Sequence, residues 1–367
     1  MAPFPPGTAV AREHITTHLQ GAIAHRVRYA SRDVNLVPTQ ASGLIIVPTV
    51  PRTNRPILTW CHGTTGLGDA ACPSAQLDPA RDLVSYFDLD STASIDYGIP
   101  LVQSFLDDGW IVCATDYQGL GTPGTHHYTV NRSNARDALC LALAARAIDS
   151  SAGTVLAGVG WSQGGGAVAA LAELDDEEYA DLELSGIVSL SPGIPAMALA
   201  TGAPSALRDS TVAPDAHLFM MLIGIQAANP EALALEELLT PLGIQIANAT
   251  WNSQPIHQLD AVLARTFHLR GPILRTDPQN FHAWIDALMA CSAGRSRPRC
   301  PVLVCHDLNN PPGREPCPMP WQEAYVARVR ELGGQVEARR FEQDDHFSLP
   351  ASAMPGAKAW LDGLLAG

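Results

Sequence analysis

The chain has 367 residues, 46% hydrophobic and 16% charged, which is enough apolar material for one large core or a core with an inserted unit, and too much for a disordered chain. Its formal charge of -14 argues against nucleic acid or an anionic membrane surface as partner, because either demands clustered Lys and Arg. No window approaches the roughly 20 apolar residues that span a bilayer, and Met1 to Thr8 lacks the basic and apolar regions of a signal peptide, so the chain either stays in the cytosol or begins at a processed start.

Residues 1–40 read as an N-terminal arm, Pro-rich to Gly7, then a short amphipathic stretch, then an alternating edge-type strand from His25. Gly43 to Pro48 and Ile57 to Cys61 are the next predicted strands. The second ends in His62-Gly63-Thr64-Thr65-Gly66, the place where a backbone N–H can meet a carbonyl oxygen that turns negative, and Thr64 is the predicted donor. His62 is expected to be structural, bonded to its own loop. Asp96 to Asp108 reads as a helix stopped by Gly109, and Trp110 to Thr115 as a buried strand that runs into the glycine-rich loop Asp116 to Gly124. Ser133 to Ile148 is a predicted helix.

The next stretch organises the rest: an apolar run from Thr154, then Gly160-Trp161-Ser162-Gln163-Gly164, then a small-residue helix. A strand, a sharp glycine-flanked turn and a helix make a nucleophile elbow, which lifts a serine hydroxyl out of a sheet edge. Ser162 is the predicted nucleophile and the Gln163 amide the second oxyanion donor. Gly186 to Ser191 is one more strand. Strands alternating with helices of this length predict an α/β fold with a parallel sheet covered on both faces.

From Pro192 to Arg299 no convincing buried strand appears, only helical pieces at Ala216 to Ala228, Glu231 to Leu242 and Phe281 to Met289. The stretch is too long for a loop and reads as a helical cap over 192–299, inserted into a core of 1–191 and 300–367. Met220, Met221, Leu222 and Ile223 are either an acyl-pocket lining or ordinary packing, and packing is the expectation. The cap histidines His217, His257, His268 and His282 share no metal spacing, and no metal is expected. The sheet returns at Pro301 to His306, followed by a helix over Trp321 to Leu332, an edge strand over Gln335 to Phe341 and a terminal helix over Ala351 to Leu365. His346 follows the last strand, where the base belongs in Ser–acid–His order. Of the eight cysteines, none forms a C-x-x-C pair; Cys291 with Cys300 is the easiest pairing if the chain is exported.

Four motifs in one order carry a resemblance: His62 to Gly68 with Ala71 to Ser74, Asp116 to Gly124, Gly160 to Gly166, and Asp345-His346-Phe347. Together they resemble the secretory lipase family of α/β-hydrolases, from about Pro6 to the C-terminus. The resemblance implies an α/β-hydrolase fold, carboxylic-ester hydrolysis without a cofactor, a helical cap and, commonly, export. It implies Ser162 as nucleophile, His346 as base, and Thr64 and Gln163 as oxyanion donors. The family's acid follows the strand ending at His306, where this chain carries the Pro-rich Asp307 to Pro320. Counting from the strand reaches Asn310, which is neutral; counting back from the helix reaches Glu315, the preferred acid, with Asp307 second and Asp344 and Asp345 behind. The expected reaction is two-step acyl transfer on short- to medium-chain esters. An acyltransferase or polyester hydrolase with the same triad, and a weakly catalytic binding protein, stand as alternatives.

Overall fold

The computed structural model describes residues 4–89, 91–202, 207, 209–311 and 315–366. Its strands are β1 (Ala9–Ile15), β2 (Ala22–Arg32), β3 (Pro38–Pro48), β4 (Arg55–Cys61), β5 (Ile111–Gln118), β6 (Ala152–Trp161), β7 (Glu183–Leu190), β8 (Val302–Asp307) and β9 (Val336–Phe341). They form one nine-stranded sheet in the order β1-β2-β3-β5-β4-β6-β7-β8-β9. The first three strands run antiparallel to their neighbours, and from β5 to β9 every pairing is parallel. Every residue of β4, β5 and β8 is buried, as expected of strands covered on both faces.

The helices are α1 (Val102–Asp107), α2 (Asn131–Ile148), α3 (Gln163–Leu171), α4 (Pro195–Ala200), α5 (Ala216–Ala228), α6 (Pro241–Thr250), α7 (Ile256–Arg270), α8 (Phe281–Cys291), α9 (Met319–Glu331) and α10 (Leu349–Ala366). Side-chain alternation along the strands splits the core in two. Ile57 and Cys61 of β4 with Ile111 and Cys113 of β5 pack against α2, α3 and α9. Leu58 and Trp60 with Val112 and Ala114 point the other way, onto α1 and α10. Between β7 and β8 lie α4 to α8, and most of the apolar residues of α5 to α8 form a separate cluster joined to the main chain at Leu67, Tyr128 and Val130. Met220 and Leu222 are fully buried in that cluster and Met221 packs at its edge, so the α5 stripe is core. Among the described residues no helix is long and apolar enough to cross a membrane.

Three expectations need correction. The helix expected over Asp96 to Asp108 shrinks to α1, because Gly98 and Leu101 both take positive φ (95° and 60°) and Pro100 lies between them. The helix expected over Glu231 to Leu242 is a short 3-10 turn, Leu235–Glu237, and α6 starts afresh with Pro241 in its first turn. Cys291 and Cys300 are not paired: both are buried free thiols, Cys291 in the packed last turn of α8.

One buried charge has a testable consequence. Asp137 of α2 is fully buried and accepts hydrogen bonds from Ser31 Oγ (2.5 Å) and Gln118 N–H (2.9 Å). Burial pushes its carboxyl up to about 7 against those two bonds. An unfolded aspartate titrates near about 4, so the neutral form stabilises the fold fully below that pH, and the contribution is lost as pH rises to about 7. Asp137→Asn stays neutral throughout. The melting temperature of the native protein relative to this variant should therefore decline between those two pH values, and parallel curves would contradict the assignment.

Candidate active site

In parallel strands the carboxyl ends gather on one edge, and the sheet register fixes which residues meet there. Cys61 pairs with Gly160, Trp161 with Leu190, Leu190 with Cys305, and Asp307 with Phe341. The residues just past these pairs, His62 to Thr64, Ser162, Ser191 and Asp307, therefore leave adjacent strands at the same end.

Ser162 caps α3 with φ 57° and ψ −117°, a conformation costing an L-residue about 1–3 kcal/mol. Its backbone holds the turn: Ser162 N–H donates to Leu190 O (2.9 Å), and Ser162 O accepts from Gly193 N–H (2.7 Å) and Gly166 N–H (3.2 Å). The flanking glycines are dictated by close approach. A Cβ at Gly160 would stand 2.0 Å from Gly164 O, and one at Gly164 would stand 1.9 Å from Cys61 O. Elbow and β4 loop are thus in backbone contact.

That loop is rigidly held. Thr64 Oγ1 and Tyr128 OH are 2.8 Å apart, the Tyr117 hydroxyl donates to His62 O (3.0 Å), and Ile256 N–H of α7 donates to Thr65 O (2.9 Å). His62 is structural as expected, its ring nitrogens lying 2.6 Å from Gly63 O and 3.3 Å from Asp116 O. Gln163 is the first residue of α3, so its N–H has no acceptor inside the helix and sits at the positive end of the helix dipole. The Gln163 side chain is tied by Nε2 to His126 Nε2 (2.9 Å) and Asn134 Oδ1 (3.3 Å). Accepting at Nε2 makes His126 donate from Nδ1 to Gln118 O (2.9 Å), and burial pushes the imidazole down to about 3, so it is neutral.

His346 lies in the loop between β9 and α10. Its N–H donates to Asn310 Oδ1 (2.9 Å) and its carbonyl accepts from Trp161 Nε1 (2.9 Å), which clamps the loop to the elbow strand. Both hydrogen bonds of the ring belong to Nδ1, to Ser191 Oγ at 3.1 Å and to Asp307 Oδ2 at 3.2 Å. An ionised carboxylate only accepts, so Nδ1 carries the proton and Nε2 the lone pair. Asp307 is buried, and its other contacts come from Gln322 Nε2 to Oδ1 (2.8 Å) and Asn310 Nδ2 to Oδ2 (2.8 Å). Burial alone would raise this carboxyl; the hydrogen bond from His346 and the positive charge of that ring in its imidazolium form, with help from Ser191 and Asn310, instead hold it well below the usual carboxylate range.

Of the five expected site residues, Ser162, Gln163 and Thr64 are brought to one end of the sheet, and the His346 ring is anchored there through Ser191 and Asp307. Glu315 is not. It is half-buried and makes no hydrogen bond or ion pair with any described residue, while Asp307 occupies the Nδ1 side of His346. The physical reason is that β8 runs one residue further than expected and takes in Asp307, the first residue of the Pro-rich stretch, so the carboxylate comes from the strand end and not from the residues after it. Asp344 accepts from Ser352 and Asp345 from the Phe347 and Ser348 amides, which removes both as partners of the ring. What the Pro-rich segment does bring is Cys317, whose buried thiol faces the Ser162 and Ser191 hydroxyls and is pushed up to about 12 by burial and by the Asp307 charge. Ser191, Gln322 and Cys317 were not anticipated at the site, and Asn310 entered only as a neutral residue at the acid's expected position. Ser191 alone had a signal, as a polar residue closing an apolar strand run.

A secretory lipase family profile matches residues 86–232, which include Ser162 and Gln163 but neither Asp307 nor His346. The fold is similar to the rice cell wall degrading esterase LipA from Xanthomonas oryzae, at 17% identity and TM-score 0.70 over 99% of both chains. The chain carries the secretory lipase signature on an α/β-hydrolase fold. Candida antarctica lipase A is likewise similar, at 15% identity and TM-score 0.74, over 98% of this chain and 83% of that one. So is a hydrolase of Legionella pneumophila described as putative, at 15% identity and TM-score 0.66 over 95% of this chain and 90% of that one. No curated protein sequence matches. The secretory lipase match over this part of the chain, together with the likeness of the fold to lipase and esterase structures, supports a carboxylic ester hydrolase.

Proposed function

We propose that the chain hydrolyses short- to medium-chain carboxylic esters through an acyl-enzyme on Ser162, with His346 as base, Asp307 as the acid that orients it, and the Thr64 and Gln163 amides as oxyanion donors. The observation that carries the reading is the Nδ1 of buried His346 bonded to a buried carboxylate, at the same sheet end as the strained serine turn. With the proton on Nδ1, Nε2 takes the Ser162 proton as the hydroxyl attacks the ester carbonyl. The imidazolium that forms is stabilised by Asp307 and then protonates the leaving alcohol. Water repeats the sequence and releases the acid. Each oxyanion amide is worth about 3 kcal/mol of barrier, so the hole rivals the base in weight.

We take α4 to α8 as the cap that sets substrate size. The bridge between Gly66 and Pro255 and the bond from Ile256 N–H to Thr65 O tie this unit to the proposed oxyanion loop. Because the α5 stripe is packed away in its own cluster, it offers no long apolar channel, which supports the preference for shorter chains. A p-nitrophenyl ester panel from acetate to palmitate tests both points. Turnover should peak at short or medium chains and vanish in Ser162→Ala; a sharp rise above the micellar concentration of the longest esters would contradict the chain-length assignment.

A further inference from the structure

We propose that Ser191 is a positioning residue for His346: a second, neutral acceptor on Nδ1 that holds the base in the Nδ1–H tautomer alongside Asp307. The inference rests on His346 being the base. A charge-assisted N–H···O bond is ordinarily about 2.7–2.9 Å long. Here Nδ1 stands 3.1 Å from Ser191 Oγ and 3.2 Å from Asp307 Oδ2, two nearly equal and rather long contacts, so one N–H is shared between two acceptors. Ser191 is fully buried, and its own hydroxyl proton is left to face the Asp307 carboxylate, whose depressed pKa it helps to maintain. Ser191 thus stands at the Nδ1 side of His346 beside Asp307, accepting from the ring and helping to keep the neighbouring carboxylate ionised.

The backbone supports the assignment. Ser191 takes φ 43°, in the left-handed region, one residue beyond β7, and is pinned there by its N–H donating to Cys305 O (2.9 Å). Glycine would fit that conformation with less strain, yet the chain places a side chain there whose one polar atom meets the base.

The consequence is that removing Asp307 does not leave Nδ1 without a partner. On one p-nitrophenyl ester, Ser191→Ala should lower kcat by about three- to tenfold, the size of one neutral hydrogen bond, with KM unchanged. In an Asp307→Ala background the same substitution should remove about tenfold more, since the last orienting group then goes. In the otherwise native protein, the low-field proton resonance of Nδ1–H should move downfield in Ser191→Ala, because the bond to Asp307 is no longer shared. Ser191→Gly, relieved of the left-handed strain, must show the same losses, which separates the hydroxyl from any folding defect. An unmoved resonance, or a kcat unchanged in both backgrounds, overturns the proposal. Failure of the base assignment reads differently: His346→Gln would then keep its turnover, whereas failure of this inference alone leaves His346→Gln inactive and Ser191→Ala unaffected.

Discussion

Asp307→Asn lowers kcat/KM by up to about ten-thousandfold, while Glu315→Gln leaves it within about twofold of the native value. The reasoning runs through the tautomer. Asp307 can only accept at His346 Nδ1, so it forces the proton onto that nitrogen and leaves Nε2 basic. An asparagine can instead donate to Nδ1, which drives the proton to Nε2 and leaves the ring unable to take one from Ser162. The substitution keeps the volume and, with its NH2 at the Oδ2 position toward Nδ1, its oxygen still accepts from Gln322 while the bond from Asn310 is given up, so melting temperatures must accompany the kinetics to separate the tautomer effect from a loosened site. Glu315 touches none of these groups. Steady-state kinetics of the two variants on one ester, with melting temperatures alongside, checks the pair. A large loss in Glu315→Gln with a near-native Asp307→Asn would return the acid to the Pro-rich segment.

The contrast between these two carboxylates shows where the sequence was readable. Ser162 could be found because close backbone approach leaves a mark on composition: Gly160 and Gly164 admit no Cβ, and an apolar strand precedes them. The position of His346 after the last strand followed from chain order. Asp307 was obscured because it closes a fully buried strand, where a charge has no periodicity to betray it, and because the Pro-rich segment after it disturbed the spacing toward α9. Asn310, set aside as a neutral residue in the acid's place, instead links the loop after β8 to the loop that carries His346, donating from its amide to Asp307 and accepting the His346 N–H at its carbonyl.

The fold shows the same division. Fully buried strands such as β4 and β5 are written as unbroken apolar runs, whereas β1 is an antiparallel edge with mostly exposed side chains and gave no strand signal. Helix α7 buries only Ile256, Leu259 and Leu263, a stripe too narrow to stand out among its interspersed polar residues, although its first residue ties the helical unit to the β4 loop. Local pattern reports burial. Which strand ends meet on one edge is a property of the sheet order, and that order is not written in any single segment.

The second large effect concerns Ser162, on which everything else depends. The turn holds it in a conformation costing about 1–3 kcal/mol, and three backbone hydrogen bonds maintain that strain at the end of the elbow strand. If this is the nucleophile, Ser162→Ala loses the covalent route entirely, and kcat falls by about a millionfold to what oxyanion donors and substrate binding alone provide. Covalent capture reads the same claim without depending on the choice of ester. Incubation with a fluorophosphonate and intact-mass measurement should add one phosphonyl group to the native protein, with the modified peptide carrying it on Ser162, and none to Ser162→Ala. Equal labelling of the two proteins, or a label on any residue other than Ser162, would contradict the account.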